Sequence, residues 1–108
     1  MNPYREEIKQ YLLKQFSLQP EQADNLLPEL LAALSGHIDN LETALQGNDP
    51  ALLGKAAHTI KGALLNLGLQ ECADIACSVE KNGKAGQKDV DYQALVQSIR
   101  EKLDRYIK

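Results

Sequence analysis

The sequence predicts an all-α protein: an antiparallel up-down four-helix bundle with an additional N-terminal helix. Three observations predict it. Apolar residues recur at intervals of three and four along most of the chain, the spacing of one helix face, and nothing alternates with period two for long. Leucine, alanine, glutamate, glutamine and lysine dominate, all good helix formers, and tryptophan is absent. The breaks between periodic segments are short, and short connections between long amphipathic helices make consecutive helices antiparallel neighbours.

A first helix is expected from about Pro3 to Phe16. Asn2 can cap it, and Pro3 suits the first helical position, where the missing N–H has no intrahelical acceptor to lose. Ile8, Leu12 and Phe16 form its stripe. A break follows near Ser17 to Pro20. The second helical region spans about Pro20 to Gln46, with Leu27, Leu30, Leu31, Leu34, Ile38, Leu41 and Leu45 on one side. Pro28 interrupts it: either the helix kinks there, or a short lead-in helix ends and the main one begins. In "QGNDP", Gly47 ends one helix, Asp49 caps the next and Pro50 takes its first position. The third helix runs from Pro50 to about Leu67, with Gly68 placed to terminate it. The fourth runs from Leu69 or Gln70 to about Lys81 and is ended by "NGKAG". The last runs from about Asp89 to Ile107, with Leu95, Ile99, Leu103, Tyr106 and Ile107 apolar.

The 108 residues amount to a single domain over 1–108. At 44% hydrophobic the chain is globular rather than disordered. A net charge of −3 argues against nucleic acid or an anionic membrane as partner, since both select basic patches. No N-terminal stretch joins basic residues to a long apolar run, and no apolar run approaches the roughly 20 residues that span a bilayer. A soluble, cytoplasmic monomer is expected. Cys72 and Cys77 lie about 140° apart around a helix axis, so a mutual disulfide is not expected and both read as small buried thiols. Neither His37 nor His58 has ligand spacing to them, so no metal site is expected.

The third helix carries the chemistry. At about 100° per residue, Leu53, Ala56, Ile60, Ala63, Leu64 and Leu67 cluster on one side as the core face. His58 points roughly the other way, sharing its face with Ala51, Gly54, Lys55, Lys61, Gly62 and Leu65. A solvated face normally carries charges and long polar chains. Here a glycine sits a full turn before His58 and another a full turn after, each costing about 1 kcal/mol relative to alanine in a helix interior. They strip side chains from around the ring. Lys61 lies one turn along, able to lean toward an anion on the ring, and Lys55 flanks the other side. No Ser/His/Asp arrangement and no glycine-rich phosphate loop accompanies the histidine, so an exposed group carrier fits better than a catalyst. His37, with Asn40 and Leu41 one turn on, has neither cation nor open space and reads as an ordinary helix-surface residue.

The run His58-Thr59-Ile60-Lys61-Gly62, followed by Leu67-Gly68, resembles the histidine-containing phosphotransfer (HPt) domain, whose hallmark is His-x-x-Lys-Gly with Leu-Gly a few residues on. The resemblance is clearest from about Leu27 to Glu80. Leu69 departs from the alanine the family tends to place there, and Ala63-Leu64-Leu65 is more apolar than in many members. The resemblance implies a bundle that relays phosphate without an ATP site of its own. His58 would be phosphorylated on Nε2, taking the group from an aspartyl phosphate on a receiver domain and passing it to another receiver's aspartate. The implied partners are a response-regulator receiver domain and a hybrid sensor histidine kinase. Mg²⁺ would be supplied by the receiver, and no cofactor is expected on this chain. Lys61 would pair with the phosphoryl oxygens, Gly62 would leave room for phosphate and partner, and Gly54 and Leu65 would contact the docked partner. The alternative is a docking or scaffold module that binds a receiver or kinase through the same face without being phosphorylated.

Glu80 lies on the apolar side of the fourth helix with Leu69, Ala73 and Ala76, and an inward carboxylate wants a partner. Counted from the Gly68 turn, antiparallel pairing could bring it level with His58. It would then accept a hydrogen bond from Nδ1 and leave Nε2 free. Equally, it could be a boundary carboxylate facing water or a lysine, since the wheel points His58 outward and Glu80 inward.

Overall fold

The computed structural model describes residues 3–107, so the expected Asn2 cap lies outside the described residues. Five helices follow one another: α1 (Pro3–Phe16), α2 (Pro20–Gln46), α3 (Pro50–Asn66), α4 (Gln70–Lys84) and α5 (Tyr92–Ile107). The last four form the bundle. α3 packs on α2 and α4, and α5 closes the ring against α4 and α2, while α1 lies across α2 and α5. The α3–α4 pairing runs antiparallel. Lys61 and Pro50 of α3 meet Glu80 and Gly83 of α4 in reverse order. At the core, Leu34, Ile38, Leu41, Ile60, Leu64, Ile99 and Leu103 are fully buried, with Ile8 and Leu12 added by α1. Each such side chain contributes about 1.5–3 kcal/mol through the apolar surface it removes from water. Between helices, Lys9 pairs with Asp24, and Arg100 of α5 holds Asp39 and Glu42 of α2.

The turns show why the helices stop where they do. α2 continues through Pro28 as one helix, so no separate lead-in helix forms. Gly47 stays right-handed at φ −75°, and Asn48 takes the left-handed turn at φ 56°. Asparagine tolerates this conformation because its short polar side chain bonds locally. The Asp49 carboxylate accepts from the Ala51 and Leu52 N–H groups, capping α3. At the other end Gly68 has φ 74°; its N–H donates to the Leu65 carbonyl, and the Leu69 N–H donates to that of Leu64, a Schellman closure. The Tyr11 ring of α1 covers this turn, so close that a Cβ on Gly68 would lie 2.6 Å from it.

Two helix boundaries differ from the sequence expectation. α4 does not end at Lys81 but passes through Gly83 to Lys84, because Gly83 is buried against α3 rather than serving as a stop. α5 begins at Tyr92, not near Asp89, and the Asp91 carboxylate accepts from the Ala94 N–H at its start. Cys72 is buried and Cys77 half-buried, and both are free thiols. Burial pushes the Cys72 thiol above its ordinary range. Among the described residues, no helix is long and apolar enough to cross a membrane.

Candidate functional site

α3 and α4 meet almost backbone to backbone at one end, and this contact sets the site. A Cβ on Gly83 would lie 2.5 Å from the Pro50 carbonyl oxygen and 3.0 Å from Gly54 Cα. One on Gly54 would lie 3.1 Å from the Lys84 backbone nitrogen and 3.3 Å from the Glu80 carbonyl oxygen. With these two glycines facing each other, one turn further along α3 and one turn back along α4 brings His58 level with Glu80.

Nδ1 of His58 stands 2.6 Å from Oε2 of Glu80. The ring is 62% exposed, whereas the Glu80 side chain is only 8% exposed. Two ammonium groups share that carboxylate: Lys61 Nζ reaches Oε1 at 2.5 Å, and Lys84 Nζ reaches Oε2 at 2.8 Å. The Lys61 hydrogen bond, then the Lys84 one, pulls the Glu80 pKa down from 4.5 to about 2 against the opposing effect of burial, and the His58 bond pulls the same way. The same bond to Glu80 holds the Lys61 ammonium more firmly protonated than usual. An ionised carboxylate only accepts, so Nδ1 carries the proton. In the neutral ring the lone pair therefore resides on Nε2, which has no partner among the described residues. A nucleophilic nitrogen is thus fixed by tautomer and orientation at an open surface.

The remaining expected residues fall in different places. Around Gly62 the surface is open, and a Cβ there meets nothing within 4 Å. Leu65, in the same stripe as His58, is 41% exposed. Its carbonyl accepts from the Tyr11 hydroxyl, which ties α1 to the end of α3. Gly54 does not lie on the open face: it is buried, at the flank that leans on α4, and cannot touch a docked partner. Lys61 is not free for an anion but is already engaged by Glu80. Lys55 is exposed with no side-chain partner among the described residues, so it does not reach Glu80 or the ring. The second lysine of the cluster is Lys84, which sequence reasoning passed over although Glu80 and Lys84 stand one helical turn apart, a readable ion-pair spacing. Gly83 was read as part of a helix stop, and the exposed Leu52 was passed over. His37 is half-buried, with no side-chain hydrogen bond or ion pair among the described residues. No group of three or more histidine, cysteine or acidic side chains among the described residues is arranged to hold a metal ion.

The family model of the Hpt domain matches residues 25–107, which takes in most of α2 and all of α3, α4 and α5. The chain belongs to the Hpt-domain family. Neither the curated proteins nor the solved structures compared with it gave a match. As an Hpt domain it has a role in histidine phosphotransfer within phosphorelays, where members act as carriers and interact with receiver domains and kinases. α1 precedes the matched segment and props the α3–α4 turn through Tyr11.

Proposed function

We propose that this protein carries a phosphoryl group on Nε2 of His58 between the aspartates of receiver domains. The observation that carries the proposal is the exposed ring whose Nδ1 proton is held by an ionised, nearly buried Glu80. The Nε2 lone pair attacks the phosphorus of a receiver's aspartyl phosphate. The N–P bond forms, the acyl P–O bond breaks, and the aspartate leaves as carboxylate. No proton moves, because Nε2 carries none. The ring becomes an N-phosphorylated imidazolium, and Glu80 lies against its Nδ1–H to balance the new positive charge. A cationic ring is also a good leaving group, so the same contact keeps the cargo mobile. In the second transfer the N–P bond breaks, its electron pair returns to Nε2, and the next aspartate takes the group.

In this reading the receiver supplies Mg²⁺ and most of the electrostatic stabilisation. Lys61, one turn along α3 from His58, gives up its bond to Glu80 and pairs with the phosphoryl oxygens. Gly62 gives clearance, and Leu65 contributes apolar docking surface. The partners are a response-regulator receiver and the receiver of a hybrid sensor kinase. A lysine–phosphate pair at this partly exposed site is worth about 1 kcal/mol, which suits a carrier that must release its load. The test is incubation with a phosphorylated receiver domain. An acid-labile, base-stable phosphate should appear on the protein and be lost in His58→Gln. Receiver binding that is unchanged in His58→Ala, with no transfer in the parent, would favour a docking scaffold instead.

A further inference from the structure

Glu80 holds two lysines where one would neutralise it. Lys61 Nζ is on Oε1 at 2.5 Å, while Lys84 Nζ and His58 Nδ1 share Oε2 at 2.8 and 2.6 Å. The two lysines are placed differently. Lys61 is on α3, one turn past His58, and is 25% exposed; Lys84 is on α4, one turn past Glu80, and is 53% exposed. A phosphoryl group on Nε2 brings close to two negative charges beside the ring. Lys61 is the lysine on the ring's own helix, so it is the one that turns to those charges. Doing so removes the donor from Oε1. A carboxylate that is 8% exposed has little water to replace the lost cation, and leaving it alone is costly.

We propose that Lys84 is a positioning residue for the phosphorylated state: it keeps Glu80 ionised and seated on His58 Nδ1 while Lys61 leaves Glu80 for the phosphoryl oxygens. The proposal rests on His58 being the acceptor and adds what holds its ring once the group is in place. In the resting protein Lys84 duplicates Lys61. In the phosphorylated protein it is the one lysine left on Glu80, beside the ring itself. At the ring its removal should therefore pass nearly unnoticed before phosphorylation and register after it, an asymmetry that a merely structural ion pair lacks.

The experiment uses the full chain and potassium phosphoramidate as the phosphoryl donor. Nε2 attacks its phosphorus, the donor's P–N bond breaks and ammonia leaves. Parent, Lys84→Met and Lys84→Arg are compared by thermal melting, by ¹⁵N NMR of the His58 ring, and by the rate at which the Nδ1 proton of the phosphorylated form exchanges with water. Before loading, Lys84→Met should keep the parent's ring spectrum and lose only the small part of the melting midpoint that one partly exposed ion pair supplies. After loading, its Nδ1 proton should exchange with water about fivefold faster, because Glu80 is less firmly seated on it, the scale of one partly exposed charge pair. Lys84→Arg should restore the parent's behaviour. A loaded Lys84→Met whose Nδ1 proton exchanges at the parent's rate, or a ring equally altered before and after loading, overturns the assignment of Lys84 alone. A parent that takes no phosphoryl group on His58 from either phosphoramidate or a phosphorylated receiver overturns the functional reading and this proposal with it.

Discussion

Glu80 Oε2 lies 2.6 Å from His58 Nδ1 across the α3–α4 interface, and this pairing decides which ring nitrogen is nucleophilic. Glu80→Gln tests it. A glutamine amide can accept from Nδ1 or donate to it, so it no longer dictates the tautomer, and it carries no charge to balance an imidazolium. Transfer from a phosphorylated receiver should slow by about tenfold, the weight of one charge-assisted hydrogen bond. ¹⁵N NMR should show a mixed tautomer. An unchanged rate, with Nδ1 still fully protonated in the neutral ring, would remove Glu80 from the account.

The same carboxylate gives the fold an acid dependence. Its folded-state pKa of about 2 lies below the ordinary 4.5, so its stabilising contribution is complete above pH 4.5 and is lost as the pH falls toward 2. Denaturant midpoints measured across that window should fall for the parent and fall less steeply for Glu80→Gln. Parallel curves for the two proteins would show that the Lys61 and Lys84 pairs do not stabilise the folded state.

Gly83 and Gly62 should respond in opposite ways to the same substitution. At Gly83 an added Cβ meets the Pro50 carbonyl and Gly54 Cα, both backbone, so neither can swing aside. Gly83→Ala should cost about 1–3 kcal/mol, as overpacking does, and should also slow transfer by moving α4 and Glu80 away from the ring. Chemical denaturation and the His58 ring spectrum report the two effects. A stable Gly83→Ala with the parent's ring spectrum would mean that the glycine contact does not set the site's spacing.

At Gly62 the space is open. Gly62→Ala should therefore stabilise the helix, by about 0.5–1 kcal/mol, since glycine is the poorer helix former. Gly62→Gln should fold at least as well as the parent yet transfer phosphate poorly, because its longer side chain occupies the clearance beside His58. A Gly62→Gln protein with normal transfer kinetics would contradict the clearance role.

Much of this was legible in the chain. Helix periodicity gave α1 and α2 their observed limits, and Pro50 and Gly68 bracketed α3 through local chemistry that needs no tertiary partner. What was misread depends on a neighbouring helix. Gly83 looked like a helix terminator because glycine usually is one. Its actual role, admitting Pro50 and Gly54, exists only once α3 is packed beside it. Gly54 was placed on the open face because a wheel drawn for one helix distinguishes inside from outside but not the flank that another helix covers. The same limit left the His58–Glu80 contact undecided. An outward ring and an inward carboxylate meet because the glycine crossing draws the two helices together, which brings Glu80 within hydrogen-bond reach of the ring. Lys61 was expected to await an anion, and the missing information was that Glu80 is the anion it already has.

The central claim is that Nε2 of His58 accepts the phosphoryl group while Glu80 holds Nδ1. The most direct measurement is ¹⁵N and ³¹P NMR of ring-labelled protein after exposure to a phosphorylated receiver domain. The account predicts a single phosphohistidine at His58, with phosphorus coupled to Nε2 and the proton retained on Nδ1. Phosphorus coupled to Nδ1, or a phosphohistidine signal that persists in His58→Gln, would contradict it.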